Sequence, residues 1–514
     1  MNKDIVIVGG GTAGWLTAGI LAAEFKSAAT VSVTLIESPE VSTIGVGEGT
    51  WPTMRTTLKR IGISETDFLR QCSASFKQGS KFVGWHVGGL DDYYYHPFTL
   101  PTATGESDIH AVWRAHYAEQ SFADVAGMQA QVSESFCAPK SMAMPEYAGA
   151  LNYGYHLDAG KFAQLLQEHC TNNLNVRHIK DHVEQVENAE NGDIAAVVTR
   201  QHGAITGDLF VDCTGSRSLL LGEHYQIPFI DCSHYSINDR AMAVQVPYAN
   251  DQTPIASATI ATAQEAGWTW DIGLTTRRGV GYVYSSAHST EEQAKTQLWQ
   301  YLENSVSADV LDQLTPRTLT ISPGHRQKFW HHNCVAVGMS AGFIEPLEAS
   351  ALALVELSAN MIRDEFPQSR DAMNIVSQRF NALFAYRWQR IIEFLKLHYV
   401  LSERRDTQYW RDVTAIESCP PSLQEFLLLW QDRPPSMRDF LHVEELFPAA
   451  SYAFVLYGMG FETSPINQLR SSANIERGVA AVSEVEKKLD RHLSGLPSNR
   501  EILTAILEHR LSKI

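Results

Sequence analysis

The chain begins with a glycine-rich turn set between an apolar strand and a helix. In DIVIVGGGTAGWLTAGILAAEF, the residues Gly9, Gly11 and Gly14 follow a GxGxxG spacing. The first glycine of this motif allows a tight turn, the second lets a pyrophosphate approach the backbone, and the third lets helix and strand pack closely. The helix N-terminus adds free N–H groups and partial positive charge. These residues predict a dinucleotide-binding unit.

A second strand supports this interpretation. VSVTLIES ends at Glu37, a carboxylate at the separation expected for binding a ribose hydroxyl. The motif alone does not distinguish FAD from NAD. The segment DLFVDCTGSRS, from Asp208 to Ser218, is similar to the strand that returns to the nucleotide in flavoproteins with two dinucleotide-binding domains. A Rossmann-like FAD module is therefore expected.

Composition limits the partners and the compartment. The 514 residues are 44% hydrophobic, which suffices for a large core in two lobes, and the net charge of −17 argues against nucleic acid. The seven cysteines show no CxxC spacing, so neither a disulfide framework nor a metal site is expected. No signal peptide or membrane span is recognisable. We expect a cytoplasmic protein that acts on small molecules.

Two tryptophans separated by one residue form the most unusual local pattern. In GWTWDIGL, the residues Trp268, Trp270 and Ile272 alternate with Thr269 and Asp271. A period of two places the three apolar side chains on one face of a strand and the polar ones on the other. An ordinary sheet core would explain such a strand without any further function.

Several segments together resemble the flavin-dependent halogenases, of which the tryptophan halogenases are the best-known branch. The likeness covers most of the chain up to roughly residue 410. Its most specific part is the Trp-x-Trp-x-Ile segment, which the family usually completes with proline and this chain with Gly273. The segments are GGGTAGW (9–15), TIGVGEGTWP (43–52), SFKQGSKFVGW (75–85), YHPFTL (95–100), GWTWDIG (267–273), GYVYSS (281–286) and FIEPLEAS (343–350).

The resemblance implies a chemistry in which reduced FAD, O2 and a halide ion form hypohalous acid, which then migrates to an essential lysine. Lys77 matches the family position, and Lys81 in the same segment is the alternative. A desolvated ammonium can hydrogen-bond hypohalous acid, or with a lowered pKa can accept halogen as a haloamine, and both remain open. The resemblance also makes Trp268 and Trp270 a wall between flavin and substrate.

A carboxylate and a helix start complete the implied chemistry. Electrophilic aromatic substitution forms a ring cation, which a carboxylate stabilises and deprotonates, and Glu348 matches this role with Glu345 as its neighbour. The family binds halide on the backbone at the start of the following helix, at positions that match Ser350 and Ala351. These replace the usual Thr and Gly, so bromide or chloride is the expected halide, and we expect the altered pocket to favour bromide.

The resemblance extends the expected FAD site beyond the glycine motif. Where flavin hydroxylases carry a Gly-Asp turn, Met339 follows Gly338, which disfavours the main alternative enzyme, a flavin monooxygenase of aromatic compounds. A non-catalytic flavin-binding protein is the alternative from a different class. The predicted cofactor-binding residues are Gly9, Gly11, Thr12, Ala13, Gly14, Glu37, Gly47, Glu48, Val183, Asp212, Gly338, Leu347 and Leu352.

The predicted substrate pocket departs from the tryptophan branch. That branch holds the amino acid part of its substrate with adjacent tyrosines, an acidic cluster and an Asn-Phe-Trp run, which residues 440–461 lack. Burying the charged ends of tryptophan without partners is costly, so indole or a similar uncharged arene is the expected substrate, attacked at C3 for indole. His96, Pro97 and Phe98 are predicted to line an aromatic pocket, although HPF also fits a turn with a core phenylalanine.

The predicted fold is α/β: an FAD module of the two-dinucleotide-binding-domain type with a mainly helical C-terminal substrate lobe. Residues 1–365 are expected to form the module with an inserted, substrate-facing sheet, and residues 366–514 the lobe. The stretch from EVEKKLDRHL to ILEHRLSKI is predicted to be a solvated helix pair without chemistry. Since no second nucleotide fingerprint is present, reduced flavin is expected from a separate NAD(P)H-dependent reductase. The protein is expected to be a monomer or a homodimer.

Overall fold

The computed structural model describes residues 3–27, 30–40, 47–464 and 472–513. The chain forms two compact units, each assembled from three separate segments. Unit 1 consists of Met1–Ala74, Leu157–Ser233 and Ile321–Gln389, and unit 2 of Ser75–His156, His234–Thr320 and Arg390–Ile514. These units are defined by contacts, whereas the predicted division after residue 365 follows chain order and stays a prediction.

The strands of the described ranges are, in chain order, β1 (Lys3–Val8), β2 (Val31–Glu37), β3 (Gly47–Gly49), β4 (Ser75–Lys77), β5 (Gly79–Val83), β6 (Tyr93–Pro97), β7 (Gly154–Asp158), β8 (Arg177–Lys180), β9 (Val183–Asn188), β10 (Ile194–Thr199), β11 (Gly203–Thr206), β12 (Leu209–Asp212), β13 (Phe229–Asp231), β14 (Arg240–Pro247), β15 (Thr259–Ala263), β16 (Gly267–Gly273), β17 (Arg277–Tyr284), β18 (Arg317–Thr320), β19 (Gly324–Arg326), β20 (Trp330–His331), β21 (Cys334–Ala336) and β22 (Gly342–Phe343).

The helices of the same ranges are α1 (Thr12–Phe25), α2 (Thr53–Ile61), α3 (Glu65–Gln71), α4 (Ile109–His116), α5 (Phe122–Ala126), α6 (Gln129–Glu134), α7 (Ala159–Asn173), α8 (Glu291–Glu303), α9 (Ala308–Leu311), α10 (Ser350–Asp364), α11 (Arg370–Val400), α12 (Gln408–Val413), α13 (Pro421–Asp432), α14 (Ala449–Gly458), α15 (Ser472–Gly495) and α16 (Asn499–Glu508). No helix within these ranges combines the length and the apolar content that crossing a bilayer requires.

Unit 1 is built on a sheet of order β20-β21-β12-β1-β2-β8, in which every pairing except β20–β21 is parallel. Val8 of β1 lies beside Ile36 and Asp212, and Asp212 lies beside Ala336. The carboxyl ends of these strands therefore meet at one edge, which is where open α/β sheets bind ligands. The predicted α/β class is confirmed, and so is the helical C-terminal part, since α11 to α16 follow Arg370.

Unit 2 contains a sheet of order β18-β14-β17-β16-β15-β5-β6, antiparallel except for the β15–β5 pairing. The predicted alternation along β16 is confirmed: Trp268 lies opposite Val283, and Trp270 lies opposite Gly281. On the other face Asp271 accepts hydrogen bonds from Arg278 Nε at 3.0 Å and the Tyr301 hydroxyl at 3.1 Å. That face is thus covered by protein, and every residue of β16 is buried.

Gly281 is required by the indole opposite it. A Cβ atom added at Gly281 would overlap the six-membered ring of Trp270. We predict that Gly281→Ala lowers the free energy of unfolding by about 1–3 kcal/mol through overpacking. The matched control is Gly160→Ala in α7, where an added Cβ would meet its nearest neighbour, Asp158, at an ordinary 3.5 Å. Urea titration of both variants checks this, and equal stability of the two would contradict it.

Candidate active site

The glycine turn of unit 1 is shaped partly by the protein and partly for a ligand. A Cβ atom at Gly9 would overlap the carbonyl oxygen of Cys213, and one at Gly14 would overlap the carbonyl oxygen of Gly9. Both glycines are therefore needed for packing between the turn and its neighbours. A Cβ atom at Gly11, by contrast, would have no heavy atom of the described residues within 4 Å. Gly11 thus faces open space, as the approach of a pyrophosphate requires.

Helix α1 starts at this open space without a capping side chain. Its N-cap is Gly11, so no side-chain capping hydrogen bond reaches the backbone N–H groups of the first turn, among them those of Thr12 and Ala13. Helices α7 and α8, by contrast, start with caps from Asp158 and Thr290. Uncapped N–H groups at a helix N-terminus are suited to an anion. The turn therefore fits the pyrophosphate of FAD.

Glu37 stands at the end of β2, on the same edge of the sheet. Its Oε2 lies 2.8 Å from Nε2 of His178, and burial lowers the pKa of that histidine. A Cβ atom at Gly10 would overlap the Glu37 side chain. Gly10 is thus required for the packing of Glu37. The GxGxxG spacing does not include this residue, although the run of three glycines in the sequence indicates it. Together these contacts fix the carboxylate predicted to bind the ribose.

The other predicted cofactor-binding residues have different environments. Gly338 has φ +74°, and a Cβ atom there would be 2.8 Å from the Cβ of Ala13, so this turn lies against the glycine motif. Burial raises the pKa of Glu48 to about 7. Val183 is half-buried and pairs with Thr199 at the start of a separate three-stranded sheet. Gly47 is buried on β3, whereas residues 43–46 of the same motif lie outside the described residues.

Asp212 is predicted to contact FAD, and its carboxylate already orders the turn that follows β12. It accepts hydrogen bonds from the backbone of Leu220 and Leu221, both at 2.9 Å, and from the Thr214 hydroxyl at 2.6 Å. The residue is fully buried. The side chain of Asp212 therefore binds the backbone and the hydroxyl group of the following turn. A direct contact between Asp212 and FAD stays a prediction.

The turn with the predicted carboxylate is strained. Glu348 and Ala349 both adopt the left-handed region, with φ of +64° and +55°. Non-glycine residues in this region are disfavoured and concentrate at functional sites. The Glu348 backbone is held by a hydrogen bond from Trp51 Nε1 to its carbonyl oxygen at 2.8 Å, and both Glu348 and Glu345 are buried. FIEPLEAS contains no glycine at these positions, so its sequence gives no warning of the strain.

Helix α10 begins immediately after this strained turn. Its N-cap is Ala349, which provides no side-chain hydrogen bond, and its first turn contains no acidic residue. The first N–H groups, including those of Ser350 and Ala351, are therefore suited to an anion, as predicted for the halide. Leu347 and Leu352 are buried beside them.

In unit 2, the two candidate lysines have different environments. Lys77 on β4 is 1% exposed, and its Nζ lies 5.4 Å from the centroid of the Phe98 ring. Lys81 on β5 donates to both carboxylate oxygens of Glu134, at 2.8 and 2.7 Å, and lies over the Tyr93 ring. Lys77 is thus almost completely desolvated, as a lysine that receives an oxidant would be, whereas Lys81 is partly exposed and forms an ion pair.

The C-terminal helix α16 holds the strand of Lys77. The predicted helix pair is confirmed, but the expectation that it is solvated is wrong at the start of α16, and the expectation that it carries no chemistry stays a prediction. Asn499 is fully buried and donates from Nδ2 to the carbonyl oxygens of Phe76 at 3.2 Å and Ala256 at 3.3 Å. Mixed charge along a helix does not reveal one buried position at its end.

The predicted pocket and tunnel residues lie largely inside unit 2. His96 Nε2 is 2.9 Å from Ser451 Oγ, and the N–H of Phe98 donates to Gln78 at 3.0 Å. Pro97 lies opposite Gly79 in the β5–β6 ladder. Trp268 and Trp270 are 2% and 7% exposed.

Trp268 also belongs to an aromatic core. Its ring centroid lies 6.3 Å from that of Trp85, which in turn packs on Tyr399 and Trp410. Packing of this kind suffices to account for the buried tryptophan, so the wall between flavin and substrate stays a prediction.

Comparison with known proteins places this geometry in a family. Residues 4–474 match the family described as tryptophan halogenase. The chain is 32% identical over 530 residues to the tryptophan 6-halogenase SttH of Streptomyces toxytricini, covering 98% of both chains. It is 32% identical over 423 residues to the tryptophan 7-halogenase RebH of Lentzea aerocolonigenes, covering 79% of this chain and 78% of that relative. The crystal structure of a tryptophan halogenase from Shewanella frigidimarina NCIMB 400 has a TM-score of 0.96 and 48% identity, covering 100% of this chain and 99% of that one.

The chain therefore belongs to the tryptophan halogenase family and is a flavin-dependent halogenase, an enzyme that halogenates an aromatic compound at the expense of FADH2. The resemblance expected from the motifs is confirmed. Of the alternatives, the family supports neither the aromatic monooxygenase nor the non-catalytic flavin-binding protein.

A buried glutamate within α10, Glu356, makes the stability of the folded protein depend on pH. Glu356 accepts hydrogen bonds from Thr57 Oγ1 at 2.5 Å and Thr53 Oγ1 at 3.0 Å, yet burial raises its pKa from 4.5 to about 7. The Glu356 carboxylate thus binds a proton more tightly in the folded protein than in the unfolded chain. The stability of the native state falls as pH rises from about 4.5 to 7, by up to about 3 kcal/mol.

Glu356→Gln removes the ionisation. We predict that the variant gains stability relative to the wild type between pH 5 and pH 8, as measured by urea unfolding at both values. Glu303→Gln, at an exposed position, is the control and should show the same difference from wild type at both pH values. A constant difference for Glu356→Gln would contradict the raised pKa.

Proposed function

We propose that this enzyme uses FADH2, O2 and bromide or chloride to form hypohalous acid and halogenates indole or a similar uncharged, electron-rich arene. The observation that carries the proposal is the turn at residues 347–351. There a buried, strained Glu348 lies two residues before α10, whose N-cap Ala349 makes no side-chain hydrogen bond to the first N–H groups, within the same unit as the dinucleotide turn. A carboxylate and an anion site beside a flavin module are the parts that halide oxidation and aromatic substitution need.

FAD, bound in reduced form at the turn of α1, would supply the electrons with which O2 becomes an oxidant for the halide. The N–H groups of Ser350 and Ala351 hold that halide ion. The ammonium of Lys77 receives the hypohalous acid, either by hydrogen bonding or as a haloamine. Glu348 stabilises the ring cation of the substrate and takes its proton. Trp268 and Trp270 keep the arene away from the flavin, so that halogen rather than oxygen is transferred.

The choice between tryptophan and an uncharged arene as substrate depends on whether the protein can bind the charged ends of the amino acid. The relatives named above are described as acting on tryptophan at ring positions 6 and 7. In this chain the segment FLHVEELF at 440–447 contains no lysine or arginine that would pair with the substrate carboxylate. Its ends are buried at Phe440 and Phe447, whereas Leu441 and Val443 between them are 85% and 92% exposed. A segment without lysine or arginine leaves the carboxylate of a zwitterion without a cationic partner there, whereas an uncharged arene needs none.

The proposed function also includes a source of reduced flavin and a preferred halide. We assign FAD reduction to a separate NAD(P)H-dependent flavin reductase in the cytoplasm, from which FADH2 arrives by diffusion. Ser350 and Ala351, in place of Thr and Gly, favour bromide over chloride. Rapid reduction of FAD by NADH with this protein alone would contradict the first assignment.

Lys77 is tested against Lys81. Lys77→Ala should lower product formation by about 100-fold or more while FAD binding and O2 consumption continue, since only the transfer of the oxidant is removed. Lys81→Ala is the matched control: it breaks an ion pair with Glu134 on the same segment and should keep most of the activity. Brominated indole is quantified by mass spectrometry under constant FADH2 supply. The reverse order of the two variants would move the essential lysine to position 81.

Substrate choice is tested by comparing kcat/KM for indole and for L-tryptophan with bromide under equal flavin supply. We predict a higher value for indole and bromination at C3, its most electron-rich carbon, because no clamp enforces attack at a less reactive position. A preference for tryptophan, or clean halogenation of its benzo ring, would show that the enzyme binds the charged ends of the amino acid by other residues.

A further inference from the structure

His156 lies on the strand next to that of Lys77, and the proposed function gives this histidine no role. Strand β4 pairs antiparallel with β7, with Ser75 opposite His156 and Lys77 opposite Gly154. In such a ladder, paired residues and residues two positions apart share a face. Lys77 and His156 are therefore diagonal neighbours on one face, and Gly154 places no side chain directly across from Lys77.

His156 is fully buried, and its two ring nitrogens differ. Nε2 lies 2.8 Å from Thr259 Oγ1, whereas Nδ1 is shielded from solvent and has no hydrogen-bond partner in the described part of the chain. Burial, with a smaller contribution from the charge of Lys77, lowers the pKa of His156 well below its ordinary value. The ring is thus neutral, with one N–H and one lone pair. A buried polar atom without a partner is destabilising, so a hydrogen-bond donor placed at Nδ1 would stabilise this site.

We propose that His156 is a second residue that binds hypohalous acid, its Nδ1 accepting a hydrogen bond from the O–H group while Lys77 donates to the same oxygen. An ammonium has three donors and no acceptor, so Lys77 alone leaves the O–H of the acid without a partner. The proposal assigns the proton of the ring to Nε2, which donates to Thr259 Oγ1, so that the lone pair is on Nδ1. This inference rests on the proposed function and makes the oxidant at Lys77 intact hypohalous acid, not a haloamine.

The transfer step balances with these groups. The ring carbon forms a bond to the halogen as the O–X bond breaks, and the oxygen leaves as water after taking a proton from Lys77. The ring proton goes to the Glu348 carboxylate, so that arene and hypohalous acid give haloarene and water. His156 stays neutral throughout, because it accepts a hydrogen bond and no proton. Proton exchange with solvent restores Lys77 and Glu348.

Two replacements of His156 separate its ring nitrogens. The amide of His156→Asn places an acceptor near the position of Nδ1, whereas that of His156→Gln reaches the position of Nε2 and Thr259. We expect the Gln variant to lose about tenfold in brominated product per FADH2 consumed, with free hypobromous acid captured by a dimedone trap in solution. The Asn variant should stay within about threefold of the wild type, as should its trap signal.

The opposite order, with Asn the more damaging change, would overturn the proposal, because His156 would then act through Thr259 alone. Thr259→Val is a milder second variant that releases the ring, and it should also leak oxidant into the trap, so full coupling in this variant counts against the proposal. The trap separates this inference from the substrate assignment. If the wild type forms hypobromous acid but no bromoindole, the substrate is wrong while the order of Asn and Gln in the trap still decides His156. A wild type that forms no oxidant would overturn both.

Discussion

Backbone N–H groups at two helix starts, left without side-chain caps, are the feature on which the rest of unit 1 depends. Helix α1 starts after Gly11 and helix α10 after Ala349, and neither receives a hydrogen bond from its N-cap side chain. Such groups are stabilised by anions and otherwise by water. The proposed function places a pyrophosphate at the first of these helix starts and a halide ion at the second.

Much of the surrounding structure keeps these two helix starts in place. The parallel sheet brings the ends of β1, β2 and β12 to one edge, and Gly9 and Gly14 allow α1 to pack closely there. At α10 the chain passes through left-handed Glu348 and Ala349, which is energetically unfavourable. Below that turn, α10 is tied to α2 by Glu356, whose burial is itself destabilising at neutral pH. Stability is thus lowered where the proposed chemistry takes place.

Local patterns predicted the elements, whereas long-range pairing decided the details of the site. The glycine motif and the alternation of Trp268 and Trp270 are periodic features, and both have the predicted structure. Three details of the structure depend on strands or helices far apart in sequence. They are the need for Gly281 opposite Trp270, the position of Asn499 at Phe76, and His156 Nδ1, which has no partner among the described residues. No window of a single segment contains such information. The composition of the two units from three segments each has the same origin.

The central claim is that unit 1 binds both FAD and the halide at uncapped helix starts. A crystal structure of the protein soaked with FAD and bromide, with data collected at the bromine absorption edge, tests it directly. The account predicts an anomalous peak within hydrogen-bond distance of the N–H groups of Ser350 and Ala351, and the FAD pyrophosphate at the start of α1 beside Gly11. Bromide bound elsewhere, with no peak at the start of α10, would contradict it.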